Sequence, residues 1–255
     1  MKKNLLVMAI SMMIVTASWA QTNYKTFTVG GVTFKMIKVE GGTFTMGATR
    51  EQGSDVDSWE KPAHRVTLSS YYIGQTEVTE ELWLAVMGYY SNFDGSTFPI
   101  YEVTWVDCQK FIRRLNDLTG QLFRLPTEAE WEFAARGGTK SRGYKFSGSN
   151  TLDDVAWYWG NSRRKPHPVG TKRANELGLY DMSGNVWEWC QDNYKSYSSS
   201  AQVNPIGLYD WEDEGRVRRG GSWVRSANYC RVSIRGSERQ SNKNQEIGLR
   251  LALSE

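Results

Sequence analysis

Apolar positions in the first half of the chain follow two rhythms. Between Val29 and Thr45, Val32, Phe34, Met36 and Ile37 run up to Gly41-Gly42, which predicts short strands broken by a glycine turn, and Val66 to Ile73 predicts a further strand. Three later segments have helical spacing. Thr79 can cap a helix whose first turn holds Glu80 and Glu81, favourable at the positive end of the helix dipole. Leu82, Trp83, Val86 and Met87 give it an apolar face before Gly88 ends it. Thr104 with Asp107 opens a second helix, in which Cys108, Phe111, Ile112 and Leu115 fall on one buried stripe, so Cys108 reads as a small core residue. Thr127 and Glu130 form a capping box for a third, which runs through Trp131, Phe133 and Ala134 to Gly137-Gly138.

Beyond Thr139 the periodicity fades into a stretch dense in Gly, Ser, Asn and Trp. Short strand-like pieces remain at Val186 to Cys190, Val217 to Arg219 and Leu249 to Ala252. The pattern predicts one α+β domain, helical in its first half and loop-built in its second. Eleven tryptophans and twenty-four glycines fit a fold stitched by aromatic wedges and tight turns, with little regular secondary structure.

Residues 1–20 read as an export signal: Lys2 and Lys3, an apolar run from Leu5 to Val15, and small residues at Ser18 and Ala20. The run is too short to span a bilayer, and no cysteine follows it to accept a lipid. Cleavage after Ala20 leaves a short linker at 21–25 and a domain at 26–255. The expected location is periplasmic or extracellular. Removing both lysines takes the formal charge from +3 to +1, which gives no electrostatic reason to expect nucleic acid or an anionic membrane as partner. Arg163-Arg164-Lys165 and Arg216 to Arg219 read as solvated loop charges, the second group adjoined by Asp210, Glu212, Asp213 and Glu214.

Cys108, Cys190 and Cys230 allow at most one disulfide. His64 and His167 stand far apart, without the spacing of a zinc or non-haem iron site. There is no Gly-x-Ser-x-Gly elbow and no phosphate-cradling loop.

Seven motifs occur in one order: Gly41 to Gly47, Thr76 to Thr79, Val103 to Trp105, Arg124 to Glu132, Gly184-Asn185-Val186-Trp187-Glu188-Trp189, Arg219-Gly220-Gly221-Ser222-Trp223, and Gly248 to Leu251. Together they resemble the formylglycine-generating enzyme or sulfatase-modifying-factor family, whose fold is a variant of the C-type lectin fold. The resemblance implies a calcium site at Asp181 and Glu188 through side chains and at Gly184 and Val186 through carbonyls. Read without it, the same loop offers hard oxygen donors, or two carboxylates that hydrogen-bond a turn. A second calcium loop in the family would fall on Val155, Ala156, Asn161 and Arg163, with no carboxylate among them.

Active members resemble copper-dependent oxidases that use two cysteine thiolates, three and eight residues after the Gly-Gly-Ser serine, to convert a sulfatase cysteine to formylglycine. Here the serine is Ser222 and the two positions are Arg225 and Cys230. A guanidinium has no lone pair for copper. Cys190 could serve as a replacement ligand, pair with Cys230 in a disulfide, or stay a buried thiol. The expectation is an exported member acting as a binding module for a protein, peptide or glycan, a pseudoenzyme without the paired-cysteine site. The alternative is a working oxidase on a sulfatase-type peptide, with Cys230 and Ser222 catalytic. The expected ligand surface includes Trp187, Trp223, Arg225, Tyr229 and Arg231, with Trp189, Asn228, Arg235 and Arg239 on or near it. Trp105, Trp131 and Trp187 are expected to be core wedges, with Trp223 and Tyr229 open between the two roles.

Overall fold

A computed structural model describes residues 23–89, 97–207 and 215–255. The export signal, with its cleavage point after Ala20, and the acidic residues between Asp210 and Glu214 lie outside the described residues.

The predicted N-terminal strands form as β2 (Val32–Val39) and β3 (Gly42–Met46), preceded by an unpredicted β1 (Tyr24–Val29), and the 66–73 segment divides into β4 (His64–Leu68) and β5 (Tyr71–Gly74). All three helices start at the expected threonines: α1 (Glu80–Met87), α2 (Trp105–Thr119) and α3 (Glu128–Ala135). The hydroxyls of Thr79, Thr104 and Thr127 accept from the third residue of each helix, and the last two close full capping boxes with Asp107 and Glu130. Between α2 and α3 runs β6 (Phe123–Arg124), and a short α4 spans Leu152–Val155.

The loop-rich second half holds β7 (Trp187–Asn193), β8 (Gln202–Val203), β9 (Arg216–Arg219), β10 (Arg235–Glu238), β11 (Ile247–Leu249) and β12 (Ala252–Ser254). The single strand expected at 249–252 is two strands in two sheets, separated where Arg250 turns inward to Glu188. The strands make a five-stranded sheet ordered β1-β2-β5-β12-β6, a four-stranded sheet β10-β9-β7-β11, and a three-stranded sheet β3-β4-β8.

One apolar cluster packs α1 and α2 against β2, β7 and β11, with Cys108, Phe111, Trp187 and Trp189 inside; Trp105 is half-buried against it. A second packs α3 between β3, β5 and β9 and contains Trp131 and Cys190. Three indoles are held by their polar tips: Trp131 donates to Glu188, Trp105 to the Cys190 carbonyl and Trp189 to the Val103 carbonyl. No helix among the described residues is long and apolar enough to cross a membrane.

Candidate functional site

The Gly220-Gly221-Ser222 turn follows β9 directly. Gly221 has φ +81°, and a Cβ there would lie 2.4 Å from the Tyr229 carbonyl oxygen and 3.0 Å from Cys230 Sγ. Glycine is therefore what lets the turn fold against the 227–230 segment. Ser222, fully buried, donates its hydroxyl to Glu246 Oε2 at 2.8 Å. Arg225 takes the same carboxylate as a bidentate partner, Nε to Oε2 at 2.6 Å and Nη2 to Oε1 at 2.8 Å. Glu246 immediately precedes β11, and its carbonyl accepts from the Trp187 N–H that opens β7. Sequence reading missed Glu246; no local pattern marks a glutamate whose partners lie more than twenty residues upstream.

Cys230 is enclosed by Phe146, Leu152, Val155 and Ala156, and burial pushes its thiol up to about 12. The three cysteines are free and buried, each in a different apolar cluster. Of the roles open to Cys190, the structure has the buried thiol and no bond to Cys230. At residues 225 and 230, where the resemblance would place the family's two cysteines, stand a guanidinium engaged by Glu246 and one buried thiol.

The 181–188 loop is tied to Glu77 and Arg250. Glu188, fully buried, gives its two oxygens to the Arg250 guanidinium at 2.7 to 3.1 Å and accepts from the Trp131 indole at 2.6 Å. Glu77 accepts from Val186 N and Asn185 Nδ2. Asp181 Oδ2 accepts from Gly170 N at 2.7 Å, while Oδ1 is buried with no partner among the described residues. Burial, with Asp181 and Glu188 opposite, raises the Glu77 carboxyl well above its usual range. Burial also raises Asp181, to about 6. As a calcium site the donor set fits in part: Asp181 has a free oxygen, whereas Glu188 is engaged by a cation of the chain. Gly184, φ +81°, is required by close approach, since a Cβ would lie 2.3 Å from the Trp157 carbonyl oxygen. The second loop satisfies itself: the Asn161 amide donates to the Ala156 carbonyl and its oxygen accepts from Tyr158 N.

The expected ligand surface divides. Trp187 and Arg231 are 2% and 1% exposed, which corrects their placement on it. Trp187 lines the main core, and Arg231 forms a buried bidentate pair with Glu60 at 2.6 and 2.7 Å. Trp189 and Arg235 are also buried, Arg235 paired with Glu128. Trp223 is buried with its indole N–H unpartnered among the described residues. Tyr229, Asn228 and Arg239 are exposed and Arg225 is half-exposed.

Trp159, which sequence reading passed over, joins this face: it is 57% exposed and its N–H donates to the Arg225 carbonyl at 3.0 Å. Tyr229 also lines a cleft of about 320 Å³, together with Asp55, Asp57, Ser226, Asn228 and, at its wall, the buried Arg231. His64 packs on Tyr197, and His167 stacks on Trp157 at 3.7 Å.

Residues 21–255 match the family described as sulfatase-modifying factor enzyme 1-like domain. The chaperone protein LppX of Paenibacillus barcinonensis is 34% identical, over 86% of this chain and 89% of its own length. The formylglycine-generating enzyme of Streptomyces coelicolor is 28% identical, over 85% and 88% respectively. Among solved structures, Treponema denticola variable protein 1 superposes with a TM-score of 0.81 at 34% identity, covering 91% of this chain and 99% of that one. The sheets, the capped helices and the loop-built second half carrying the Gly-Gly-Ser turn are those of this fold, and the chain belongs to the sulfatase-modifying factor enzyme 1-like family.

Proposed function

We propose that the protein is an exported binding module of this family that has lost the paired-thiolate oxidase chemistry. The observation that carries the reading is the Arg225–Glu246–Ser222 cluster: an oxidase would need a thiolate at residue 225, and a guanidinium tied by two hydrogen bonds to a carboxylate stands there instead. Two positive features add to it. Trp159, Asn228 and Tyr229 are exposed around Arg225, and rigid aromatics beside arginine are the residue types that anchor interfaces. A relative 34% identical is named a chaperone protein.

Export rests on the charged, apolar and small-residue order of residues 1–20. A calcium ion on the 181–188 loop rests on the unpartnered Asp181 Oδ1; the Gly184 and Val186 carbonyls would complete its donors, and its role would be to hold that loop.

The test is aerobic incubation of the copper-loaded mature protein with a Cys-x-Pro-x-Arg peptide, followed by mass spectrometry of the peptide cysteine. No conversion is expected beside an active two-cysteine relative as control. Formylglycine in the product would overturn the reading and return Cys230 and Ser222 to catalytic roles. For calcium, chelation should lower the Tm of the purified protein; an unchanged Tm would remove the ion from the description.

A further inference from the structure

The turn that brings Trp159 to the candidate face also carries three consecutive cations, Arg163, Arg164 and Lys165. The Tyr158 carbonyl closes it, accepting from Asn161 N at 3.0 Å and Ser162 N at 2.8 Å. Two hydrogen bonds pin it to the turn after β9: Trp159 N donates to the Arg225 carbonyl at 3.0 Å, and the buried Ser162 hydroxyl donates to the Trp223 carbonyl at 2.6 Å. Ser162 Oγ also accepts from Arg164 N, which fixes the point where the basic residues leave the turn. Arg163 and Arg164 hold φ of 56° and 57°, the left-handed region that a Cβ disfavours by crowding the following carbonyl.

All three basic residues are exposed, and none is in an ion pair among the described residues. Two acids on the adjoining segments are occupied: Glu246 by Arg225 and Ser222, and Asp153 by the Asn161 amide. His167, two residues beyond Lys165, registers the unrelieved charge: burial lowers its pKa, and Lys165, Lys172 and Arg163 lower it further. At the other end of the face the sign reverses. The Tyr229 ring centre is 5.9 Å from the Arg225 guanidinium, and Tyr229 lines the cleft that also holds Asp55 and Asp57.

We propose that the turn bearing Arg163, Arg164 and Lys165 docks a short acidic segment of a polypeptide partner, with Trp159 packing beside it; this rests on the binding-module reading above. Three adjacent free cations, two of them arginines that can take carboxylates through paired donors, match a short run of acidic side chains. The reversal of sign at Asp55 and Asp57 selects the class of partner. An extended polyanion, such as a sulfated glycan or a nucleic acid, laid along the face runs from the cations onto these acids and is repelled, whereas a polypeptide can follow its acidic residues with neutral or basic ones. Trp159, 57% exposed, supplies apolar contact once charge has steered the segment in.

The experiment titrates the full mature protein with acetyl-Ala-Glu-Asp-Glu-Leu-amide, with its Gln-Asn-Gln counterpart and with dextran sulfate. The readout is the pH midpoint of the His167 ring protons by ¹H NMR, with His64, seated on Tyr197, as the internal reference. Carboxylates docked on the turn relieve the repulsion from Lys165 and Arg163. The acidic peptide should therefore raise the His167 midpoint saturably, leave His64 where it is, and lose affinity as salt is added. The neutral peptide should move neither histidine. The triple variant Arg163→Gln, Arg164→Gln, Lys165→Gln changes only exposed side chains; it should keep the wild-type Tm and bind the acidic peptide about tenfold more weakly, since exposed ion pairs are individually modest. An unmoved His167 with the acidic peptide, equal binding of the neutral peptide, or wild-type affinity in the triple variant overturns the proposal. Dextran sulfate producing the same His167 response at equal charge concentration makes the turn a general polyanion site and overturns it as well. Shifts confined to Trp159 and Tyr229 overturn the acidic docking and leave the binding-module reading standing, which the peptide-cysteine conversion assay decides separately.

Discussion

Arg231 is the residue at which packing and sequence expectation part most sharply, and its replacement tests the assignment. It is 1% exposed; Glu60, opposite, is fully buried. Two hydrogen bonds join them, and Ser233 donates its hydroxyl to the same carboxylate. Glu60 also accepts from Asp57 N, closing the capping box of the 58–60 turn. Arg231→Met leaves a desolvated carboxylate without its cation, a change that costs about 3–5 kcal/mol. A protein of ordinary stability has only about 5–15 kcal/mol in total. At about 2–4 °C per kcal/mol for a chain of this size, Tm should fall by about 10 °C.

Glu60→Leu should cost a similar amount, while the double variant should lose much less than the sum, because neither buried charge is then left alone. The assay is urea unfolding at pH 7 of the wild type, both single variants and the double. Burial raises the Glu60 carboxyl, but the hydrogen bonds from Arg231 and Ser233 outweigh it and leave it below its ordinary value. The pair's contribution is therefore present above the usual glutamate range and lost as pH falls through the depressed value; Arg231→Met should flatten that acid limb. Unchanged stability in Arg231→Met, together with loss of ligand binding, would refute the reasoning and return Arg231 to the ligand face.

Other outcomes follow from the same geometry. Glu246→Gln should destabilise the protein by about 1–3 kcal/mol, chiefly through weaker acceptance from the buried Ser222 hydroxyl, the half-exposed Arg225 contributing less; a double cycle with Ser222→Ala checks the partition, and zero coupling would break the cluster apart. Cys230, buried with its thiol near 12, should resist iodoacetamide in the folded protein at pH 8 and react only on unfolding; labelling at native rates would refute its enclosure. Asp192, which accepts from Glu128 N and Gly207 N, has its carboxyl raised to about 7 by burial and by Glu128. The folded state then holds a proton that the unfolded chain releases between about pH 4 and 7, so unfolding free energy should fall across that window, and Asp192→Asn should lack this fall.

Much of the local structure was legible because its causes are local. Thr79, Thr104 and Thr127 announce helix starts through hydrogen bonds spanning three residues, and the stripe of Cys108, Phe111, Ile112 and Leu115 follows from helix geometry alone. The ordered motifs were enough to identify the family and hence the fold, and Ser222, Arg225 and Cys230 marked where its chemistry would lie. What could not be read was which arginines have partners. Arg219, Arg231, Arg235 and Arg250 look on the sequence like surface charges, yet each is buried against a glutamate from a distant segment: Glu132, Glu60, Glu128 and Glu188. Arg218 lies beside Arg219 in the same strand, and its Nε and Nη1 have no partner among the described residues. Charge pairing across the fold is decided by which strands and loops meet, because a Coulomb partner must be brought within about 4 Å and out of water to matter. Tertiary structure alone therefore separated the four arginines buried in ion pairs from Arg225, which stays half-exposed beside Glu246.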